Sequence, residues 1–374
     1  MSLDVVIGCA QALALTMSVA FLTYVCLIVV PFLRRKPAQV GTSTDLEWHF
    51  LVPCRDEEAV IGDTISYLRT TFRHAHVWII DDDSDDRTAS VVRGARRNNG
   101  STDRHVHLVQ RYRPYARTGK GDALNTAYRA LKEWMGRHAD AGRAVIVVVD
   151  ADGRPAPNCL DVCAAPHLFG DAGVGAVQID VQMINRDRPP QHLGACKRRL
   201  GSLLVRMQDL EFRTAISAIQ LSRGYTGTIS MGGNGQFTRL SALDSIAGPT
   251  RTPWRRSLLE DFELGVHLLT EGWKTGYSAD THVDQEALYS MRRFLAQRTR
   301  WGQGTMQCAR YIRQIWNSRH LSTMGALEIL YYLCQPWMQL LGTLIYPVPF
   351  LLTLIRTVQD PHAVASWFTG GAWI

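Results

Sequence analysis

Between residues 46 and 290 the sequence repeats one alternation, a short apolar run followed by an amphipathic stretch of helical period. The apolar runs lie at residues 48–52, 77–80, 106–109, 145–149 and 174–179, each of strand length. Strands that alternate with helices pack as an α/β fold with a mainly parallel sheet. Ligands of such sheets bind beyond the carboxyl ends of the strands, so the residues after each run are the candidate site.

The 374 residues, 46% hydrophobic and 20% charged, suffice for one large core or two smaller domains and exclude disorder. Eight cysteines are scattered without a CxxC pair, which argues against a zinc ribbon or a disulfide framework and for a reducing compartment. The net charge of +7 comes with no nucleic-acid-binding motif, and the basic residues sit beside apolar segments and in one loop. Anionic lipid and a diphosphate ligand account for it better than nucleic acid.

Residues 5–33 carry no charge. At ~1.5 Å per residue a helix of that length exceeds the ~30 Å hydrocarbon core and spans it with tilt. A signal peptide fits less well, because the run is long and residues 1–4 lack a positive charge. Arg34, Arg35 and Lys36 follow, so the positive-inside tendency puts the next segment in the cytosol. A second apolar region, residues 329–355, contains Gln335, Pro336, Gln339, Pro347 and Pro349 and reads as a kinked or re-entrant return. The fragment 363–374 is too short to span alone. The expected organisation is a transmembrane helix at 1–33, a cytoplasmic catalytic domain at 34–290, a motif and interfacial helix at 291–322, and a truncated or minimal membrane region at 323–374. The expected localisation is the cell membrane, multi-pass.

Three strand ends carry acidic clusters. Glu57 and Glu58 follow the first run, and Asp81-Asp82-Asp83-Ser84-Asp85-Asp86 follows the second. Carboxylates there can accept hydrogen bonds from a base and ribose hydroxyls. A calcium loop is excluded by Asp86 at its sixth position and Val92 at its twelfth, while Ser84 or Asp85 could cap the next helix. The fourth run leads into Asp150-Ala-Asp152-Gly153, a pair of hard oxygen ligands suited to Mg²⁺ or Mn²⁺ completed by substrate phosphates. Arg117-Thr-Gly-Lys120-Gly-Asp-Ala-Leu-Asn125 is a glycine-flanked basic loop opening a helix, suited to an anionic or polyhydroxyl ligand, or simply a solvated turn.

Ser257-Leu-Leu-Glu260-Asp261 opens another helix. Ser257 and Glu260 have capping-box spacing, which leaves Asp261 to face a cleft as a general base. Gln297-Arg298-Thr-Arg300-Trp301 precedes an amphipathic stretch, 302–320, of interfacial pattern. Arg300 can pair with a departing diphosphate and Trp301 can stack on a sugar, or the two can anchor the chain at a membrane. His105-x-His107 is assigned no function.

Together, and in this order, these motifs with Gly232-Gly233-Asn234-Gly-Gln-Phe-Thr-Arg239 resemble the membrane-integrated family 2 glycosyltransferases that include cellulose, chitin and hyaluronan synthases. The resemblance covers residues 34–355. It implies a GT-A (nucleotide-diphosphosugar transferase) fold, an inverting mechanism and a nucleotide-sugar donor, usually a UDP-sugar. Glu57 and Asp82 would contact the nucleoside, and Lys120 and Arg300 the nucleotide sugar. Asp150 and Asp152 would hold the diphosphate and metal. Asp261, beside Glu260, would be the base, and Gln297, Arg298, Trp301, Gly233 and Asn234 would line the acceptor site. Gln208-Asp-Leu-Glu211, in an interfacial helix after Lys197, also resembles the family, and His282 and Glu286 are further candidates. Asp56 and Asp83 depart from the family's usual Asn and Gly. The resemblance implies a growing β-linked polysaccharide as acceptor. Two spans cannot enclose a channel for it, which calls for a homo-oligomer or a secretion partner, or for a non-processive transfer to a lipid or lipid carrier. The alternative of another class is a silent sugar-nucleotide sensor.

Overall fold

The computed structural model describes residues 3–35, 37, 39–98, 101–136, 140–188 and 194–359. Lys36 and the fragment 363–374 lie outside the described residues. Strands in chain order are β1 (Glu47–Cys54), β2 (His76–Asp82), a small hairpin of β3 (Arg97–Asn98) and β4 (Ser101–Thr102), β5 (Val106–Arg111), β6 (Ala144–Val148), β7 (Arg154–Pro155), β8 (Val174–Met183), β9 (Gln236–Arg239) and β10 (Lys274–Gln285). Helices are α1 (Leu3–Leu33), α2 (Ile61–Thr71), α3 (Thr88–Arg96), α4 (Lys120–Met135), α5 (Cys159–Cys163), α6 (Ala195–Leu210), α7 (Ser217–Thr226), α8 (Leu240–Ala247), α9 (Glu260–Glu271), α10 (Met291–Cys308), α11 (Ile312–Trp316), α12 (Thr323–Ile345) and α13 (Pro347–Gln359). The chain divides into two compact units, residues 35–329 and residues 1–34 with 330–374.

In the larger unit eight strands form one sheet in the order β5-β2-β1-β6-β9-β8-β10-β7. All five expected runs are strands. Because successive side chains point to opposite faces, β1 sends Phe50 and Val52 to one side and Leu51 to the other, and β2 and β6 do the same. One face packs against Ile61, Ile65 and Leu68 of α2 and Val92 of α3. The other packs against Leu124, Ala127 and Leu131 of α4, Leu243 of α8 and Leu264 and Leu268 of α9.

The expected mainly parallel sheet is a mixed one, with six of its eight strands running the same way and two reversed. The pairs β1–β2, β1–β6, β2–β5 and β8–β10 are parallel, whereas β9 runs antiparallel to both β6 and β8, and β7 antiparallel to β10. β9 starts at the carboxyl edge, where the Gly235 amide donates to Val148 O at 3.0 Å, and runs back down the sheet. That reversal places Gly232–Asn234 beside the end of β6. At the opposite edge, His49, His76 and His107 come from three adjacent strands; His49 stacks on His76 and His107 on Trp78, and Trp134 meets His76 and His107 at steep angles. His76 Nδ1 and His107 Nε2 are 3.2 Å apart. All eight cysteines are unpaired.

In the smaller unit Tyr24 of α1 meets Tyr331 of α12 with ring centroids 4.9 Å apart. Among the described residues, one helix segment, Gln11–Leu33, is long and apolar enough to cross a membrane. The second apolar region falls on two helices that separate at Tyr346 before Pro347, whose ring cannot continue a helix's hydrogen-bond ladder.

Candidate active site

The carboxyl edge of β1, β2 and β6 gathers the acidic clusters. After β6 the chain turns at Asp150-Ala-Asp152-Gly153, closed by the Gly153 amide to Asp150 O at 2.8 Å. Thr64 of α2 bonds Ala151 O at 2.6 Å. A Cβ at residue 153 would lie 2.6 Å from Val149 Cγ1, so only glycine permits this turn against the strand. The turn is then tied to its neighbours, as Asn234 Oδ1 accepts from the Asp150 amide at 3.2 Å and Asp152 Oδ2 from the Glu286 amide at 3.2 Å.

Lys120 begins α4 after Gly119, whose φ of 126° is open to glycine. Its Nζ donates to Asp150 Oδ1 at 2.5 Å and to Gly233 O at 2.6 Å. Burial works to lower the Lys120 pKa, but the carboxylates of Asp150, Glu260 and Asp261 outweigh it and leave it raised. A Cβ on Gly233 would sit 3.1 Å from Asp261 Oδ2 and 3.2 Å from Lys120 Nζ, so both side chains border the small space that the missing side chain leaves. Burial, then the charge of Glu260, pushes Asp261 up to about 7. Glu260 is raised by burial against the opposing pull of Lys120 and Arg300.

The capping reading of Glu260 is not what the chain adopts. α9 begins at Glu260 itself, and the Ser257 amide donates to Glu263 Oε2 at 3.0 Å, one turn further on. Glu260 is thereby left beside Lys120. The cap of α3 is also displaced: Asp86, not Ser84 or Asp85, accepts from the Thr88 amide, at 2.8 Å.

Glu57 is raised by burial and by Asp152, Asp86 and Asp150, and Asp152 is raised by burial and by Asp150 and Glu286. These crowded hard oxygens form a donor set that fits a divalent cation. Among the described residues no three acidic, His or Cys side chains converge tightly enough to cage an ion. The fit is therefore to a cation that takes one or two protein carboxylates and completes its shell from phosphates and water.

Asp82 is held by Arg111 and accepts from the Arg117 amide at 3.0 Å, while Asp83 binds Arg113 at 2.7 Å. Gln297, Arg298, Arg300 and Trp301 lie within α10, not ahead of the helix that follows them, and the stretch 302–320 breaks at a 3₁₀ turn, Ala309–Tyr311. Arg298 grips Glu211 through both nitrogens, at 2.8 and 2.6 Å, and stacks on Trp301 at 4.4 Å. Both are thus occupied in joining α10 to the π-helical turn Glu211–Ile216, whereas Arg300 is exposed within electrostatic reach of Glu260. Gln297 is half-buried.

Two supporting residues are given no role by the sequence, Gln178 because it lies in no motif and Asn125 because it merely ends the basic loop. Gln178, buried on β8, accepts from the Gly232 amide at 2.8 Å and donates to Asn234 O at 2.9 Å. Asn125 on α4 pins Trp254 through both backbone groups, at 2.7 and 3.1 Å, just ahead of Glu260.

A cavity of about 960 Å³ opens from Glu57, Asp152 and Glu286 toward Lys197, Leu200 and Leu204 of α6 and Met291 of α10. Leu200, Leu203, Met207 and Leu210 on α6 are all more than half exposed.

A mixed α/β sheet whose carboxyl edge joins an Asp-x-Asp turn to a lysine and a second carboxylate pair is the arrangement of a GT-A-like fold. Residues 48–304 match the family described as glycosyltransferase like family 2, and the chain belongs to that family. It is 29% identical over 265 residues to a β-monoglucosyldiacylglycerol synthase of Synechocystis sp., covering 69% of this chain and 47% of the relative. A synthase of the same name from Trichormus variabilis is 28% identical over 279 residues, covering 74% and 52%. The chain spans about half the length of these curated relatives. Among solved structures, the mannosyltransferase PcManGT from Pyrobaculum calidifontis, in complex with GDP-Man and Mn²⁺, superposes with a TM-score of 0.59 at 18% identity, over 97% of this chain and 92% of that one. Of the expected kinship the family 2 membership is shown, while the relatives matched over about 70% of the chain are named for a glycolipid product and not as cellulose, chitin or hyaluronan synthases.

Proposed function

We propose that the chain transfers one sugar, with inversion, from a nucleotide diphosphate sugar to a membrane lipid. The observation that carries this reading is the cavity, which has carboxylates at one end and the apolar, basic-rimmed flank of α6 at the other. An amphipathic acceptor matches that gradient: its polar head faces the Asp152 end, from which the Asp150 turn leads to Lys120, while its apolar body rests on Leu200 and Met291. The relatives named as diacylglycerol glucosylating enzymes support it.

In the reaction the acceptor hydroxyl attacks the anomeric carbon, the bond from that carbon to the diphosphate breaks, and the hydroxyl proton passes to Asp261. A carboxylate raised to about 7 is matched to this task near neutral pH. Lys120 and Arg300 supply positive charge toward the leaving diphosphate. Asp150 and Asp152 would hold a divalent cation, Mg²⁺ or Mn²⁺, which when bound stabilises negative charge on that diphosphate. Glu57 and the Asp82 segment would take the nucleoside, and Gly233 and Asn234, beside the Asp150 turn, would border the reacting sugar.

The test is transfer to diacylglycerol-type lipids and to oligosaccharides in nanodiscs. Leu200→Glu is expected to raise the KM for lipid by about tenfold with the donor KM unchanged, as for lost uniform binding of one substrate. An unchanged lipid KM, or a preference for oligosaccharide, would count against the lipid acceptor. Chelation by EDTA is expected to abolish transfer, with recovery on added Mn²⁺ or Mg²⁺. Full activity in EDTA would remove the metal.

A further inference from the structure

Glu263 has no exposed surface, although it is a carboxylate. It accepts from the Ser257 amide at 3.0 Å, from Arg310 Nη2 at 2.7 Å and from Tyr311 Oη at 2.5 Å. Two further contacts fasten the same segment to α10. Gln307 Oε1 accepts from the Leu258 amide at 2.9 Å, and a Cβ on Gly304 would lie 2.9 Å from the Leu259 nitrogen. Residues 257–259, which lead directly into Glu260 and Asp261, are therefore held between Glu263 on one side and the last turns of α10 on the other. α10 is also the helix that carries Arg300 and Trp301.

With the carboxylate buried and the guanidinium exposed, this ion pair adds little net stability, so its worth lies in fixing geometry. We infer that Glu263, with Arg310 and Tyr311, is a positioning residue that sets the placement of Glu260 and Asp261 relative to Arg300. The inference rests on the transfer reaction proposed above. It does not require Glu263 to touch substrate.

The experiment compares wild type, Glu263→Gln and Arg310→Met as full-length protein in nanodiscs, by transfer kinetics and by hydrogen exchange. Glu263→Gln is expected to lower kcat by about 10- to 100-fold with the donor KM within about threefold, the pattern of misplaced rather than missing groups. Exchange is expected to quicken in residues 257–261 and 297–308 together and to stay unchanged in β1, β2 and β6. Arg310→Met, at an exposed side chain, is expected to show the same pattern more weakly, and it decides the matter if Glu263→Gln does not fold. An unchanged kcat, or exchange quickened uniformly across the sheet, would overturn the inference. If wild type transfers no sugar, the proposed reaction fails, while the paired exchange response still decides the positioning role.

Discussion

At Asp261 the chemistry and the packing pull against each other. Its carboxyl, raised to about 7 by burial and by Glu260, has an ordinary value of 3.8, so the folded state holds a proton that the unfolded chain releases between those two values. Stability contributed by the protonated form is present below about pH 4 and is lost as pH rises through about 7. Asp261→Asn is therefore expected to abolish transfer, keep donor binding, and raise Tm at pH 8 by about 2 °C, the shift of ~1 kcal/mol in a large domain. In wild type, kcat/KM is expected to climb through about pH 7 to a plateau. A flat profile, or an active Asn variant, would remove Asp261 from the base role. Gly233→Ala would press a methyl between Asp261 and Lys120, and is expected to cut kcat more than tenfold with little change in Tm. The acidic positions were legible because carboxylates after strands have a direct chemical meaning. Glu260 was misread because its spacing from Ser257 fits a capping box, and spacing cannot reveal that the helix starts three residues later.

Elements explain what single residues do not. α10 reads from sequence as a motif followed by an interfacial helix, yet Arg298 is committed to Glu211 and Trp301. Such a clasp needs a partner almost ninety positions away, which no local pattern announces. Arg298→Lys keeps the charge but loses the two-pronged grip and the stacking, and is expected to lower stability by about 1–2 kcal/mol. At the far edge of the sheet, burial lowers His76 and His107 to about 4 from 6.5. The unfolded chain then takes up protons first as pH falls from about 6.5 toward 4, and stability declines over that window. His107→Gln is expected to shift the acid unfolding midpoint, followed by tryptophan fluorescence, to lower pH. A midpoint that stays in place would show that these rings do not govern acid unfolding.

At the scale of the molecule, the five strand runs and the site edge were readable because apolar runs that alternate with helices carry a strong period. β9 was not readable, since it is only four residues long and follows a glycine-rich loop. Yet its reversal brings Gly233 and Asn234 to Asp150, so a missed strand completes an expected site. The proposed lipid acceptor lay furthest from view, because that proposal depends on how α6 and the start of α10 border one cavity. The most direct measurement is the size and nature of the product formed by the full chain in nanodiscs from labelled nucleotide sugars, resolved by thin-layer chromatography and mass spectrometry. A lipid carrying one added hexose is the expected product. A water-soluble polymer, or no labelled lipid with any donor, would contradict the account.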